Sequence, residues 1–262
     1  MAYTALYRNF RPTKFEDMVG QDHITKTLKN QIMAGRVGHA YLFNGGRGTG
    51  KTTSAKILAR AVNCLNPKNG DPCLECEQCK AFAGEENTDI VEIDAASNNG
   101  VDEIRDLIEK VKYAPIQGRY KVYIIDEVHM MTAGAFNALL KTLEEPPKHV
   151  IFILATTEYH KVPLTITSRC QKFQFNKIDN DDIVKRLREI ADLEKIEITD
   201  DALYEIAKIS DGGMRDSINF LDQLRSFTKG NITLSDVYEV CGNVSLEEIY
   251  KFDEKIRQII ES

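Results

Sequence analysis

Between His39 and Ser54 the chain reads HAYLFNGGRGTGKTTS, an apolar run, a glycine-rich loop and the start of a helical pattern. Gly45, then Gly46, Arg47, Gly48 and Thr49, then Gly50, Lys51 and Thr52 match G-x-x-x-x-G-K-[ST], and Thr53 extends the loop. This feature restricts the fold strongly, because such a loop works only between a buried strand and a helix. Its glycines leave backbone N–H groups bare, so that they can surround the phosphates of a nucleotide. Lys51 brings a point charge to the same phosphates and Thr52 a hydroxyl for Mg²⁺. A helix beginning at Lys51 directs its positive dipole end at the anion. Tyr41-Leu42-Phe43 before the loop and Ile57-Leu58 after it meet the requirement for a strand and a helix. Residues 45–53 are the expected nucleotide-binding set.

Three further runs rich in Ile and Val follow: TDIVEID (88–94), KVYIIDE (121–127) and HVIFILATT (149–157). A fifth strand is expected in RCQKFQF (169–175). Helical patterns lie between them. In FNALLKTLEE, Phe136, Leu139, Leu140 and Leu143 repeat at i, i+3, i+4, i+7, and Pro146-Pro147 ends the helix. Strands alternating with helices predict an α/β fold with a five-stranded, mostly parallel sheet covered on both faces. Ligands of such sheets lie beyond the carboxyl ends of the strands, so strand ends are read first for chemistry. Asp126 is placed to hold Mg²⁺ through water, and Glu127 to orient and polarise an attacking water. Two solvated carboxylates would look the same in isolation; the phosphate loop favours the catalytic pair. Thr156-Thr157 end the next run, and Thr157 is preferred as the hydroxyl that touches the γ-phosphate or the water.

Four of the six cysteines, Cys64, Cys73, Cys76 and Cys79, form C-x₈-C-x₂-C-x₂-C, while Cys170 and Cys241 stand alone. They lie in NCLNPKNGDPCLECEQCK (63–80), a surface excursion too short for its own hydrophobic core. In a reducing cytoplasm four thiolates suit a tetrahedral Zn²⁺ with no open position, hence a structural site. Such a metal contributes ~10–16 kcal/mol in small motifs. A redox pair at Cys76 and Cys79, or inert thiols, are the other readings. At 262 residues the chain exceeds the usual ~100–200 residues of one domain, so two are expected. It has 42% hydrophobic and 28% charged residues, as ordinary globular proteins do. There is no membrane-length apolar run, and MAYTALYRNFRP is too polar for a signal peptide, so a cytoplasmic protein is expected. A formal charge of -6 argues against coating a membrane or nucleic acid with the whole surface, yet leaves room for a local basic patch on DNA.

Residues 3–20 carry Arg8, Arg11 and Pro12 and lead into Val19-Gly20-Gln21. They suit either plain packing or the adenine-side wall of a nucleotide site. A helix is expected over 21–34, with Ile24, Leu28, Gln31 and Ile32 near one face. Beyond Phe175 the texture becomes helical, with Ile183, Leu187 and Ile190, then Leu203 and Ile206, then Ile218, Leu221 and Leu224, then Val237 and Val240. Gly212-Gly213-Met214-Arg215-Asp216 is a glycine break that places Arg215 near a helix start, where a cation suits a nucleotide sensor. Ser245-Leu246-Glu247-Glu248 reads as a capping box opening a last helix, which looks like the beginning of a further domain.

Taken in order, YRNFRPTKFEDMVGQ, GGRGTGKTT, the four-cysteine insertion, IIDEVHM, NALLKTLEEPP, LATTE, PLTITSRC and GGMRDS resemble the AAA+ clamp-loader ATPases. Within them the chain is most similar to the gamma/tau subunits of bacterial DNA polymerase III, over essentially all 262 residues. The resemblance implies an AAA+ P-loop ATPase domain over 1–178 with a Cys₄ zinc module at 63–80, a small helical lid over 179–242 and the start of a collar domain at 243–262. It makes Gly45 to Thr52 Walker A, Asp126 and Glu127 Walker B, Thr157 sensor 1 and Arg215 sensor 2. Arg169 becomes an arginine finger acting on ATP held by a neighbouring subunit; read without the family, it has no evident partner in its own chain. The implied cofactors are ATP, Mg²⁺ and structural Zn²⁺, and the implied activity is ATP-driven loading of a sliding clamp onto primed DNA. The implied partners are delta and delta-prime subunits, further gamma/tau copies, the sliding clamp and primer-template DNA, with polymerase and helicase reached through regions outside this chain. No polymerase active site is evident. Two rivals remain: a RuvB-like AAA+ DNA-remodelling motor, which does not predict the Cys₄ insertion, and an ATP-binding zinc scaffold, which the intact Lys51 and Glu127 disfavour.

Overall fold

The computed structural model describes residues 4–82 and 88–242. In chain order the helices are α1 (Leu6–Asn9), α2 (Asp22–Met33), α3 (Lys51–Asn63), α4 (Glu77–Ala81), α5 (Val101–Val111), α6 (Ala133–Glu144), α7 (Leu164–Thr167), α8 (Asn180–Glu194), α9 (Asp200–Ile209), α10 (Met214–Phe227) and α11 (Leu234–Cys241). The strands are β1 (Ala40–Gly45), β2 (Ile90–Asp94), β3 (Lys121–Asp126), β4 (Val150–Thr156) and β5 (Gln171–Phe175). The described residues form two compact units: those within 11–177, and 178–242 together with 4–10.

In the first unit the strands pair in the order β2-β3-β4-β1-β5, all parallel. Nearly continuous apolar strands are what a parallel sheet buried on both faces requires. Their alternation sorts the side chains into two cores. Leu42, Tyr123, Ile125, Phe152 and Leu154 pack with Ile104 and Leu107 of α5 and Leu139 and Leu143 of α6. Tyr41, Phe43, Val122, Ile124, Ile151 and Ile153 pack on the other face with Ile24 and Leu28 of α2 and Ile57 and Leu58 of α3. Register aligns Asn44 with Thr156, Ile125 with Leu154 and Asp94 with Asp126. The carboxyl ends of β1, β3 and β4 therefore emerge side by side, with β1 between β4 and β5.

The second unit is helical. Leu203 and Ile206 of α9, Ile183, Leu187 and Ile190 of α8, Leu221 and Leu224 of α10 and Val237 of α11 are all buried. α1 belongs to this unit and not with the sheet, which differs from the boundary expected from the sequence. Leu6 is buried, and its backbone N–H donates to Asp222 Oδ2 at 3.1 Å. That tie spans more than two hundred residues, so nothing local announces it. The capping box at Ser245 and the expected collar segment lie outside the described residues. No helix among the described residues is long and apolar enough to cross a membrane.

Candidate nucleotide site and metal centre

The phosphate loop leaves β1 at Gly45, where an added Cβ would lie 2.5 Å from the Phe175 carbonyl oxygen. Only glycine lets β5 run this close. Gly50, at φ 103°, turns the chain into α3 in a conformation L residues rarely adopt. The bare N–H groups at the start of α3 thus face the strand ends. Lys51 is buried and bends back, donating from Nζ to the carbonyl oxygens of Gly45 at 2.9 Å and Gly46 at 2.6 Å. Burial pushes its pKa down, and the Glu127 and Asp126 carboxylates push it the other way.

Thr52 Oγ1 donates to Asp126 Oδ2 at 2.6 Å, closing the gap between the loop helix and the end of β3. A hydroxyl and a carboxylate are the hard oxygen donors that suit Mg²⁺, so the residues present fit the expected ion. The next residue, Glu127, sits in the left-handed region at φ 47°, ψ 44°. Asp126 Oδ1 accepts its N–H at 3.0 Å. Its Oε2 accepts from Thr157 Oγ1 at 2.9 Å and from Thr157 N at 3.3 Å. Of the two threonines ending β4, Thr157 therefore meets the glutamate. Thr156 is fully buried, and its Oγ1 lies 3.0 Å from His129 Nδ1.

The segment before α2 packs on the same loop. Arg11 Nε donates to Thr53 Oγ1 at 3.1 Å. The Met18 methyl occupies the space a Cβ on Gly50 would need. The fully buried Gln21 side chain donates to the Asn176 carbonyl at 2.8 Å and accepts the Asn176 N–H at 3.2 Å; its amide nitrogen also lies 3.4 Å from the Thr49 carbonyl. Sequence reasoning passed over His129 and reached Gln21 only as the end of Val19-Gly20-Gln21, where the segment that suits an adenine-side wall leads. The VGQ and DEVH strings were visible, but the partners lie 155 and 27 residues away.

Arg169, for which the sequence shows no evident partner in its own chain, has one. Its guanidinium is paired within its own chain, ion-paired with Glu144 at the end of α6 and donating to the Thr165 carbonyl at 2.5 Å. The proline pair after α6 ends that helix beside the turn carrying Arg169, a juxtaposition set by tertiary packing. In the helical unit, Arg215 lies in the first turn of α10 with its guanidinium carbon 4.9 Å from the centre of the Tyr7 ring, a cation–π contact.

The cysteine sulfurs of Cys64, Cys73, Cys76 and Cys79 all lie within 4.8 Å of one another. Cys64 and Cys76 are 3.9 Å apart, as are Cys73 and Cys79. Ligands ~2.3 Å from a tetrahedral zinc stand ~3.8 Å apart, whereas a disulfide needs ~2.05 Å. Backbone N–H groups of Cys73, Cys76 and Cys79 point at the sulfurs of Cys64, Cys73 and Cys76 at 3.3, 3.3 and 3.4 Å. Such donors favour thiolates. The four sulfurs therefore fit Zn²⁺. The module is fastened by Asp71, which is buried and accepts from Phe15 N at 2.5 Å and Lys29 Nζ at 2.7 Å.

Comparisons with known proteins bear on the family of the chain. Residues 20–179 match the family model described as DNA polymerase III, delta subunit, and residues 182–230 the one described as DNA polymerase III clamp loader subunit, ATPase lid domain. The chain is 57% identical over 245 residues to DNA polymerase III subunit tau of Bacillus subtilis, covering 94% of this chain and 44% of that protein. It is 43% identical to subunit tau of Escherichia coli, covering 93% and 38%. Against subunit gamma of Buchnera aphidicola from Acyrthosiphon pisum it is 42% identical, covering 96% and 69%. The chain thus spans less than half of the Bacillus subtilis protein's length. Among solved structures, the RuvB Holliday junction branch migration motor of Thermotoga maritima is similar in fold, with a TM-score of 0.66 at 22% identity, covering 96% of this chain and 79% of that one. That likeness shows a shared fold, and the matches in sequence are closer and more specific: the chain belongs to the gamma/tau family of DNA polymerase III clamp-loader subunits.

Proposed function

We propose that this chain is the ATPase part of a clamp-loader subunit, which binds and hydrolyses ATP to drive loading of a sliding clamp onto primed DNA during replication. The observation that carries the reading is the convergence of Thr52 after β1, Asp126 and Glu127 at the end of β3 and Thr157 after β4 through direct hydrogen bonds, with Lys51 near enough for both carboxylates to act on its charge. Phosphoryl transfer requires mainly positioning and positive charge. In this reading the loop N–H groups and Lys51 bind the β- and γ-phosphates, and Thr52 and Asp126 hold Mg²⁺. When bound, that ion neutralises charge on the phosphate oxygens. Glu127 polarises a water that attacks the γ-phosphorus as the bond to the bridging oxygen breaks and ADP leaves. Thr157 orients Glu127 and senses the γ-phosphate, Arg215 reports nucleotide to the lid, and Arg169 stabilises the transferring group on a neighbouring subunit. The cysteine module holds Zn²⁺ structurally. The partners are delta and delta-prime subunits, further gamma/tau copies, the clamp and primer-template DNA, and the protein is cytoplasmic. Polymerase chemistry belongs to other chains of the holoenzyme.

The test is ATP turnover by the full-length protein assembled with its partner subunits, clamp and primed DNA, comparing wild type with Arg169→Ala. The expected outcome is a loss of DNA-stimulated turnover of ~10³-fold or more with nucleotide affinity retained. Unchanged turnover would remove the trans role of Arg169.

A further inference from the structure

His129 lies in the turn Val128–Met130 that follows the left-handed Glu127. Val128 is fully buried and anchors that turn under the sheet end. The imidazole is almost fully enclosed, its side chain 7% exposed, so a polar ring has been taken out of water at the edge of the nucleotide site. It has partners on two sides. Nδ1 lies 3.0 Å from Thr156 Oγ1 and 3.4 Å from Glu127 Oε2, while Nε2 lies 3.7 Å from Glu158 Oε1. Thr156 Oγ1 also accepts the Glu158 N–H at 3.0 Å. Each ring nitrogen faces a carboxylate, but the Glu127 oxygen stands nearer to Nδ1, at 3.4 Å, than the Glu158 oxygen does to Nε2, at 3.7 Å. Repulsion between facing lone pairs therefore favours a proton on Nδ1.

The consequence concerns one carboxylate oxygen. Glu127 Oε2 already accepts two hydrogen bonds from Thr157. Those bonds alone fix its distance from β4 but leave the carboxylate free to rotate about them. An N–H approaching from the β3 side adds a second direction and removes that freedom. We propose that His129 is a positioning residue for Glu127, its Nδ1–H bridging Thr156 and the Glu127 carboxylate so that one orientation of that carboxylate is presented to the attacking water. This rests on the reading of Glu127 as the group that polarises the water. His129 touches neither nucleotide phosphates nor Mg²⁺ in this scheme, so it acts on the chemical step and not on binding.

The experiment uses the full-length protein in its assembled state and measures kcat, the KM for ATP and the affinity for a fluorescent ATP analogue. His129→Phe keeps the volume without the N–H; His129→Asn carries an N–H near the place of Nδ1; His129→Gln carries one near the place of Nε2. His129→Phe and His129→Gln are expected to lower kcat by about tenfold or more, part of the ~10²–10⁴-fold that a positioned base contributes, with KM and affinity within about twofold of wild type. His129→Asn is expected to recover most of the loss. Thermal unfolding of each variant separates misfolding from the effect sought. Wild-type kcat in a folded His129→Phe, or a folded His129→Asn as slow as His129→Phe, would overturn the assignment. Glu127→Gln is the control for the premise: if it turns over ATP like wild type, the role given to Glu127 fails, whatever the His129 variants do.

Discussion

A glutamate on a left-handed backbone costs on the order of 1–3 kcal/mol and persists only where its surroundings over-determine it. At Glu127 the surroundings are Asp126 Oδ1 on its N–H and Thr157 on its carboxylate, and Val128 is buried directly after it. The strain turns the side chain from the strand direction toward β4, where the chemistry is proposed. Tyr123 shows a different single-residue cost. Its ring stacks on Phe152 in the core, and its buried hydroxyl has no hydrogen-bond partner among the described residues. Burial pushes its pKa up to about 12. Because the folded value is raised, the stabilisation is complete below the ordinary tyrosine range near ~10 and declines as pH rises from there towards 12. Tyr123→Phe removes both the unpaired hydroxyl and this loss. It is expected to raise stability at neutral pH by about 1 kcal/mol and to flatten the fall of the urea midpoint above about pH 10. A destabilised Tyr123→Phe would show that the hydroxyl is satisfied in solution.

Among elements, the cysteine module shows how a short insertion is held without a core. Its four clustered cysteines, the proposed zinc ligands, lie at the centre of the loop, and Asp71 fixes it to the rest of the unit through Phe15 N and Lys29. Gly70 meets the Lys29 backbone so closely that an added Cβ would stand 2.7 Å from Lys29 Cα. The module therefore lies against α2 and the segment leading to Met18, which lines the phosphate loop. Asp71→Ala leaves a partly buried ammonium and the Phe15 N–H without their acceptor. It is expected to cost about 1–3 kcal/mol, measured by urea unfolding, while bound zinc stays at one ion per chain. Loss of zinc in that variant would mean that docking, and not the four thiolates, governs metal retention. The same scale explains why Thr157 could be preferred over Thr156 from the sequence while His129 was passed over. Thr157 extends the strand-end motif, whereas His129 gains meaning only from β4 lying beside β3.

In the whole molecule, the pairing of Arg169 with Glu144 bears on how subunits would communicate. An arginine that acts on a neighbour's nucleotide must first leave its own Glu144. Both groups are partly exposed, and such pairs are worth ~0–1 kcal/mol. Glu144→Gln is therefore expected to raise DNA-stimulated turnover of the assembled protein modestly, by up to about fivefold. It should have no effect in an Arg169→Ala background, because the two substitutions act on one interaction. A turnover gain that survives in that background would place the action of Glu144 elsewhere.

The sequence by itself determined the strand–loop–helix around Lys51, the alternation that builds a doubly covered parallel sheet, the carboxylates at the end of β3 and the four-cysteine set. Each of these is a matter of covalent spacing: a phosphate loop, an apolar period and a C-x₂-C turn are closed by residues within a few positions of one another. Only the tertiary structure decided that Gln21 would clasp Asn176, that Thr157 would take the Glu127 carboxylate with His129 behind it, that Arg169 would rest on Glu144 and that Leu6 would join the helical unit. These contacts depend on the strand order β2-β3-β4-β1-β5 and on helix ends meeting far from their neighbours in sequence. Two-sided burial is satisfied by more than one strand order, and no local pattern encodes which order forms or which distant polar group then comes within hydrogen-bond reach.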